Sequence, residues 1–235
     1  MSRALLQRVS GGAEPETLRL HRPSPIVAFG PQDLRAPGYR GAVAAAVDGG
    51  FTPVQRLAGG RAAVFHEDTI AFSWTIPDPD PRERIRDRFR ELATLMETAF
   101  RSLGVDARVG EVPGEYCPGE YSVNARGVAK LMGVGQRLVR NAAHVGGVVV
   151  VDGAERVRDI LIPVYRALDL DWDPATAGSL ADEVPGISYD DAQRAIVSEF
   201  AAGYELYDGK LSSEVLAQAE TLEADHAVDL TTLAT

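Results

Sequence analysis

The sequence predicts an α+β fold: a single domain with a mixed, largely antiparallel sheet flanked by helices. Three observations carry this expectation. Short apolar runs, broken by Gly, Pro and acidic turns, dominate between Ile26 and Val151. One long helical stripe interrupts them, and helical patterning takes over after Glu155. Strands that come first and pair with neighbours, with helices at their flanks, belong to α+β architectures. No linker separates two cores, so residues 1–235 are assigned to one unit.

Residues 1–24 hold a short helix or strand ahead of the breaker His21-Arg22-Pro23-Ser24-Pro25. Ile26 to Phe29 reads as a buried strand ended by Gly30-Pro31. The alanine-rich stretch Pro37 to Val47 predicts a helix stopped at Gly49-Gly50. Pro53 to Leu57, Ala62 to Phe65 and Ile70 to Ile76 follow as strands, with Glu67-Asp68 as an acidic turn. The clearest helix runs from Pro81 to Leu103. Asp80 is placed as its N-cap, Pro81 as its first residue and Glu83 as the partner in a capping box. Ile85, Phe89, Leu92, Met96, Ala99 and Leu103 form its buried stripe. Val105 to Val109 returns as a strand. Gly110 to Gly119, with two prolines and three glycines, predicts an irregular loop. Tyr121 to Asn124, Val128 to Val139 and Ala143 to Val151 are the last strands. Helices are expected over Glu155 to Leu168, broken or bent at Pro163, over Tyr189 to Tyr204 with Ser188 as N-cap, and over Ser213 to Asp225.

Composition narrows the function classes. Apolar content of 45% and charged content of 25% suit a globular domain. A formal charge of −10 argues against general nucleic-acid binding, which runs on phosphate neutralisation. No apolar run reaches bilayer-spanning length. The N-terminus is too weakly apolar for a secretory signal, so a cytoplasmic location is expected. The single cysteine forms no internal disulfide. The four histidines are scattered and none has zinc-like spacing with it, so no metal site is expected.

Chemistry concentrates between Glu115 and Val151, which holds Cys117, Lys130, Gly133, Gly135 and His144. A thiol in a Pro/Gly loop is either an inert small side chain or a nucleophile, and a nearby cation such as Lys130 or Arg126 favours the thiolate. Lys130 shares a face with Val128 and Met132 by alternation. It either reaches solvent at a strand end or aims its ammonium at a carbonyl or phosphoryl oxygen. Gly133 and Gly135 let a ligand or another backbone come close, or mark a bulge. Arg56 to Ala62 is a glycine turn flanked by Arg56 and Arg61, with neither phosphate-loop signature present. On spacing alone, His66 and His144 are ordinary polar residues.

Three ordered segments resemble the catalytic domain shared by lipoate–protein ligases, octanoyltransferases and biotin–protein ligases. RLAGGRAAVFHEDTIAFS, Arg56 to Ser73, is similar to R-x-S/T-G-G-G/R-A-V-x-H, with one extra residue before the histidine. GVAKLMGVGQR, Gly127 to Arg137, is similar to G-x-K-I/L-x-G-x-A/G-Q-R, with one extra residue before the lysine. His144-Val145-Gly146 stands in place of H-x-G. The resemblance implies a groove for an octanoyl or lipoyl chain, Lys130 directed at the acyl carbonyl, and Arg56, Gly59, Gly60, Arg61, His66, Gly133, Gly135 and His144 as its walls. It implies lipoyl-domain proteins as acceptors: acyltransferase subunits of 2-oxoacid dehydrogenases, or the glycine cleavage H protein.

The same resemblance spans two chemistries. A ligase forms an acyl-adenylate and needs ATP and Mg. A transferase takes octanoate from acyl carrier protein through a cysteine thioester and needs no cofactor. Gly59-Gly60-Arg61-Ala62, the Tyr121 to Asn124 segment and the loop Cys117 resemble the cysteine-dependent octanoyltransferases. Cys117 then carries the acyl group. Ala58, where the family has Ser or Thr, and Glu67 to Ile70 depart from the pattern. A catalytic domain without a C-terminal accessory domain is expected. A non-catalytic module that binds acyl groups or carrier domains is the reading from another class. Biotin ligation is disfavoured, because no GRGRxGR-like loop occurs.

Overall fold

A computed structural model describes residues 1–229. In chain order the elements are α1 (Ser2–Ser10), β1 (Thr17–His21), β2 (Ile26–Phe29), α2 (Tyr39–Asp48), β3 (Thr52–Gln55), β4 (Ala63–Phe65) and β5 (Thr69–Pro77). Then come α3 (Ile85–Ser102), β6 (Ala107–Val109), β7 (Val123–Ala125), β8 (Ala129–Val139) and β9 (Ala142–Val150). The chain continues with α4 (Ala154–Ala167), α5 (Leu180–Glu183), α6 (Tyr189–Gly203) and α7 (Ser213–Thr221).

Six strands form an antiparallel sheet in the order β1-β5-β9-β8-β7-β6. A smaller sheet, β3-β2-β4, pairs β2 parallel with β3 and antiparallel with β4. The fold is therefore α+β with a largely antiparallel sheet, as the strand spacing predicts.

Alternation in β5 and β9 assigns the two faces. Phe72, Trp74, Val145 and Val149 point into a core with Met132, Met96, Phe100 and Phe200, under α3 and α6. On the opposite face Val150 meets a second core made by the small sheet, α2 and α4, where Val27, Phe29, Val64, Val157 and Leu161 pack. Leu6 and Val9 of α1 cover the end of that face near Ala142. Between these two covers the opposite face is rich in glycine: Gly133 pairs with Val148, and Gly135 with Gly146. That uncrowded strip is where the site lies.

Three local expectations are corrected. Helix α3 begins at Ile85 rather than Pro81, and no side chain caps it. Asp80 caps nothing, and the acid engaged here is Asp78, whose carboxylate accepts from the Asp80 N–H at 3.0 Å and from Arg88 at 2.6 Å. Arg88 also donates to the Pro81 carbonyl, which holds residues 80–84 in a turn instead of a first helical turn. Helix α4 is not broken at Pro163: it runs unbroken from Ala154 to Ala167, with Ile160, Leu161 and Val164 buried on either side of the proline. The N-terminal segment forms both a helix and a strand, α1 and β1, rather than one or the other.

The Arg88–Asp78 pair is almost fully buried, at 1% and 5% exposure, and Gln136 accepts a further bond from Arg88 at 3.1 Å. Removing one member of a buried, hydrogen-bonded ion pair strands the other charge. We predict that Arg88→Ala costs about 3–5 kcal/mol in urea denaturation. A cost under about 1 kcal/mol is the outcome of an exposed pair and contradicts this assignment.

Candidate active site

The Gly110 to Gly119 segment is a loop, and a buried acid organises it. Glu115 Oε1 accepts from Lys130 Nζ at 2.9 Å, the Gly119 N–H at 3.1 Å and Ser122 Oγ at 2.7 Å. Its Oε2 accepts from the Val112 N–H at 3.0 Å. Lys130 and Glu115 are 1% and 0% exposed. The ammonium donates its other two protons to the carbonyls of Tyr116 (3.0 Å) and Cys117 (2.8 Å), and it sits 4.9 Å from the centre of the Tyr116 ring. All three lysine donors are thus used within the loop.

Lys130 reaches the loop because of a β-bulge. Pairing between β7 and β8 matches Val123 with Met132 but Asn124 with Lys130, leaving Leu131 as the extra residue. Alternation is broken there, which corrects the face expected from the sequence. Lys130 leaves the side of Met132, which enters the core, and lies beside Gly133, where a Cβ would stand 3.3 Å from its Cε. Val128, expected on the same face, is outside the strand and exposed.

Cys117 has φ +43°, a left-handed conformation that costs a non-glycine residue about 1–3 kcal/mol. Both of its backbone groups are pinned. Its N–H donates to Tyr165 Oη at 2.9 Å, Tyr165 donates to the Ala62 carbonyl, and Lys130 holds the Cys117 carbonyl. The half-buried sulfur then faces the glycine turn. The Arg61 N–H donates to Sγ at 3.2 Å, and Arg56 Nη1 stands 3.8 Å away while also bonding the Arg61 carbonyl. Both groups stabilise negative charge on sulfur. Among the loop's own N–H groups, those of Cys117 and Gly119 are occupied and Pro118 has none.

Two glycines allow this approach. Gly60 has φ +106°, and a Cβ on it would lie 2.9 Å from Cys117 Sγ and from Arg56 Nη1. At Gly135 a Cβ would stand 3.1 Å from the Ala58 Cβ, so its role is to let the glycine turn sit on β8. Asp33, buried, accepts from the Gly30 N–H at 2.9 Å and lies 3.4 Å from Arg61, which fixes the turn from behind. Burial raises its carboxyl above the usual range.

A cavity of about 470 Å³ opens beside the sulfur. Arg56, Gly59, Gly60, Cys117, Lys130, Gly133 and Gly135 line it, and so do Ile85, Phe89, Tyr121, Val134 and Val148. Its size and mostly apolar wall suit a small acyl chain. Arg61 does not line the cavity; its backbone N–H is directed at Cys117 Sγ. His66 and His144 do not line the cavity: the His66 ring packs against Gly153, with Nδ1 accepting from the Asp68 N–H, and His144 lies buried on β9 against Gly146. Nothing in the sequence by itself marks Glu115, Asp33 and Tyr165 as parts of the site. Glu115 carried a signal, an acid within the Pro/Gly loop, but the loop-to-strand pairing that gives it meaning is a tertiary fact.

Two predictions follow from this geometry. Lys130→Ala leaves Glu115 buried without its counterion and is expected to lose about 3–5 kcal/mol by urea denaturation; a loss under about 1 kcal/mol contradicts the pinning role. The second concerns pH. Burial lowers both His66 and His144 below the ordinary imidazole value, His144 to about 4 with help from Arg19 and Arg56. The folded state therefore keeps them neutral, whereas the unfolded chain protonates them below about pH 6.5. Stability is lost as pH falls from about 6.5 towards 4. Urea midpoints at pH 7 and pH 5 are expected to show this drop, with a shallower pH slope in His144→Gln; an unchanged slope in that variant contradicts it.

Comparison with known proteins identifies the family. The family described as "Lipoyl protein ligase A/B catalytic domain" matches residues 1–201. Proteins named "Octanoyl-[GcvH]:protein N-octanoyltransferase" are similar to the chain. The one from Exiguobacterium sp. is 33% identical over 124 residues, 53% of this chain and 42% of that protein. The one from Oceanobacillus iheyensis is 27% identical over 200 residues, 80% of this chain and 71% of that protein. The one from Geobacillus kaustophilus covers 58% of its own length at 28% identity. The matched part thus spans between 42% and 71% of these relatives. Two solved structures share the fold at 17% identity. Lipoate-protein ligase A bound with ATP superposes with a TM-score of 0.73 over 93% of this chain and 87% of that one. A bi-partite lipoate protein ligase from Thermoplasma acidophilum superposes with 0.70 over 94% and 86%. The chain belongs to the lipoyl protein ligase A/B catalytic-domain family.

Proposed function

We propose that the chain transfers an octanoyl group from a carrier protein to the lysine of a lipoyl domain, through a thioester on Cys117. The observation that carries this reading is the sulfur itself, held at the mouth of an acyl-sized cavity with the Arg61 N–H and the Arg56 guanidinium facing it. A ligase that works through an adenylate has no use for that arrangement. The names of the similar proteins support the same chemistry.

In the first half-reaction the Cys117 thiolate attacks the octanoyl carbonyl. The carrier's thiol, or its lysine amine, leaves and takes up a proton. Negative charge develops on the carbonyl oxygen. The donors nearest the sulfur, Arg56 and the Arg61 N–H, hold it from the glycine turn. Lys130 helps indirectly by fixing the Cys117 carbonyl; to bind the acyl oxygen itself it exchanges one of its three loop acceptors. In the second half-reaction the neutral amine of the acceptor lysine attacks the thioester, the C–S bond breaks as the amide forms, and the proton that the nitrogen loses passes to the departing sulfur or to water. The octanoyl chain lies along Gly133, Gly135 and Val148 towards Ile85 and Phe89.

The resemblance points to acyl carrier protein as donor, and the relatives' name gives octanoylated GcvH. A lipoyl domain is the acceptor with either. No cofactor takes part in this route; ATP and Mg belong to the adenylate alternative.

Each octanoylated carrier is expected to add the mass of one octanoyl group to the intact chain, and Cys117→Ala to abolish the gain. An unchanged mass with both donors, together with lipoate-dependent pyrophosphate release from ATP that survives Cys117→Ser, contradicts the reading and establishes ligation.

A further inference from the structure

The cavity beside Cys117 holds one charge with no part in the chemistry of the sulfur. Glu120 lines it, and no other carboxylate does among the described residues. The residue lies three positions after Cys117 in the same loop and is exposed. Lys130 is neutralised by Glu115, and Arg61 stands 3.4 Å from Asp33. Glu120, by contrast, has no hydrogen bond or ion pair among the described residues. The chain has many surface acids, but this one alone faces the groove.

Exposure does not leave Glu120 loose. With Tyr121 it forms the centre of a turn, closed by the Ser122 N–H on the Gly119 carbonyl at 2.9 Å. Glu115 grips both ends of that turn, through the Gly119 N–H at 3.1 Å and Ser122 Oγ at 2.7 Å. The Tyr121 ring stacks on Phe89 of α3, with centroids 5.1 Å apart and planes at 6°. Glu120 is thus presented from a fixed backbone, as a positioned functional group requires.

Charge says what such a carboxylate is for. Arg56 and the Arg61 N–H favour anions, the thiolate first and then the oxyanion. The acceptor is the opposite case, because a lysine of ordinary pKa, about 10.4, arrives as an ammonium at neutral pH. Once Cys117 is acylated its sulfur carries no charge. Arg56, which has no ion pair among the described residues, then faces that ammonium uncompensated. Glu120 is the lining group able to offset it.

We propose that Glu120 receives the acceptor lysine: its carboxylate draws the amine to the acyl-enzyme and takes a proton from it in the second half-reaction. The nitrogen bonds the acyl carbon, and the C–S bond breaks with its electron pair on sulfur. The proton that the nitrogen loses passes to Glu120 and from there to water, with which an exposed carboxylate exchanges freely. This role rests on the reading of Cys117 as the carrier of the acyl group.

The full chain and Glu120→Gln are each loaded on Cys117 from octanoyl-pantetheine, and deacylation is followed by intact mass. Two nucleophiles are compared: an apo lipoyl domain, whose lysine is charged, and hydroxylamine, which is neutral at the same pH. The rate with the lipoyl domain divided by the rate with hydroxylamine is expected to fall about tenfold or more in Glu120→Gln. Glu120→Asp is expected to recover part of the ratio. An unchanged ratio overturns the proposal, and so does an equal fall with both nucleophiles, the mark of a disturbed loop.

Binding supplies an arm that needs no acyl-enzyme. Anisotropy of a labelled apo lipoyl domain measures a double-mutant cycle between Glu120→Gln and acceptor Lys→Met. Each change is expected to weaken binding, and the two together no more than one. Additive effects, or none, overturn the proposal. If the wild type is acylated by no donor, the proposed function falls, while the cycle still decides whether Glu120 receives the lysine.

Discussion

The buried ion pair between Lys130 and Glu115 is the interaction on which the site depends. Two charges taken out of water are favourable only when every donor and acceptor is matched. Here Nζ spends its three protons on Glu115, Tyr116 and Cys117, and Glu115 accepts from Val112, Gly119 and Ser122 besides the lysine. The pair ties strand β8 to a loop that has no regular hydrogen bonding of its own. It also holds the Cys117 carbonyl, so a backbone conformation that is unfavourable for a cysteine becomes the only one the loop adopts.

From that constraint the remaining geometry follows. With both backbone groups of Cys117 fixed, its sulfur points across the groove to the glycine turn, where Gly60 has no side chain to block it. Asp33 and Gly30 hold the turn from the small sheet, and Gly135 lets it rest on the large one. The nucleophile and the groups that stabilise its charge come from opposite walls, and both walls are anchored in the second core, one through Tyr116 and the other through Ala62. A rigid scaffold of this kind keeps a reactive geometry without ordering cost at each turnover.

Much of this was legible in the sequence. Alternation and turn residues located the long strands and the α+β class, and the glycine block and the lysine strand marked both walls of the groove. What was not legible depended on tertiary pairing. The bulge at Leu131, which turns Lys130 towards the loop, is set by its partner strand β7 and leaves no mark in the alternation of β8 itself. Nothing in the sequence sets Arg88 apart from the other arginines near it, yet its bonds to Asp78 and the Pro81 carbonyl accompany a start of α3 at Ile85. His66 and His144 matched motif positions, but burial against Gly153 and Gly146 keeps them off the cavity.

In the proposed mechanism Cys117 carries the acyl group while Lys130 holds the loop. A crystal structure of the chain after reaction with an octanoyl thioester tests both parts at once. Electron density is expected for an octanoyl group bonded to Cys117 Sγ, its chain running along Gly133 and Gly135, with Lys130 Nζ still bound to the Cys117 carbonyl. An octanoyl group bonded elsewhere, or lodged in the groove with Cys117 unmodified, would contradict it.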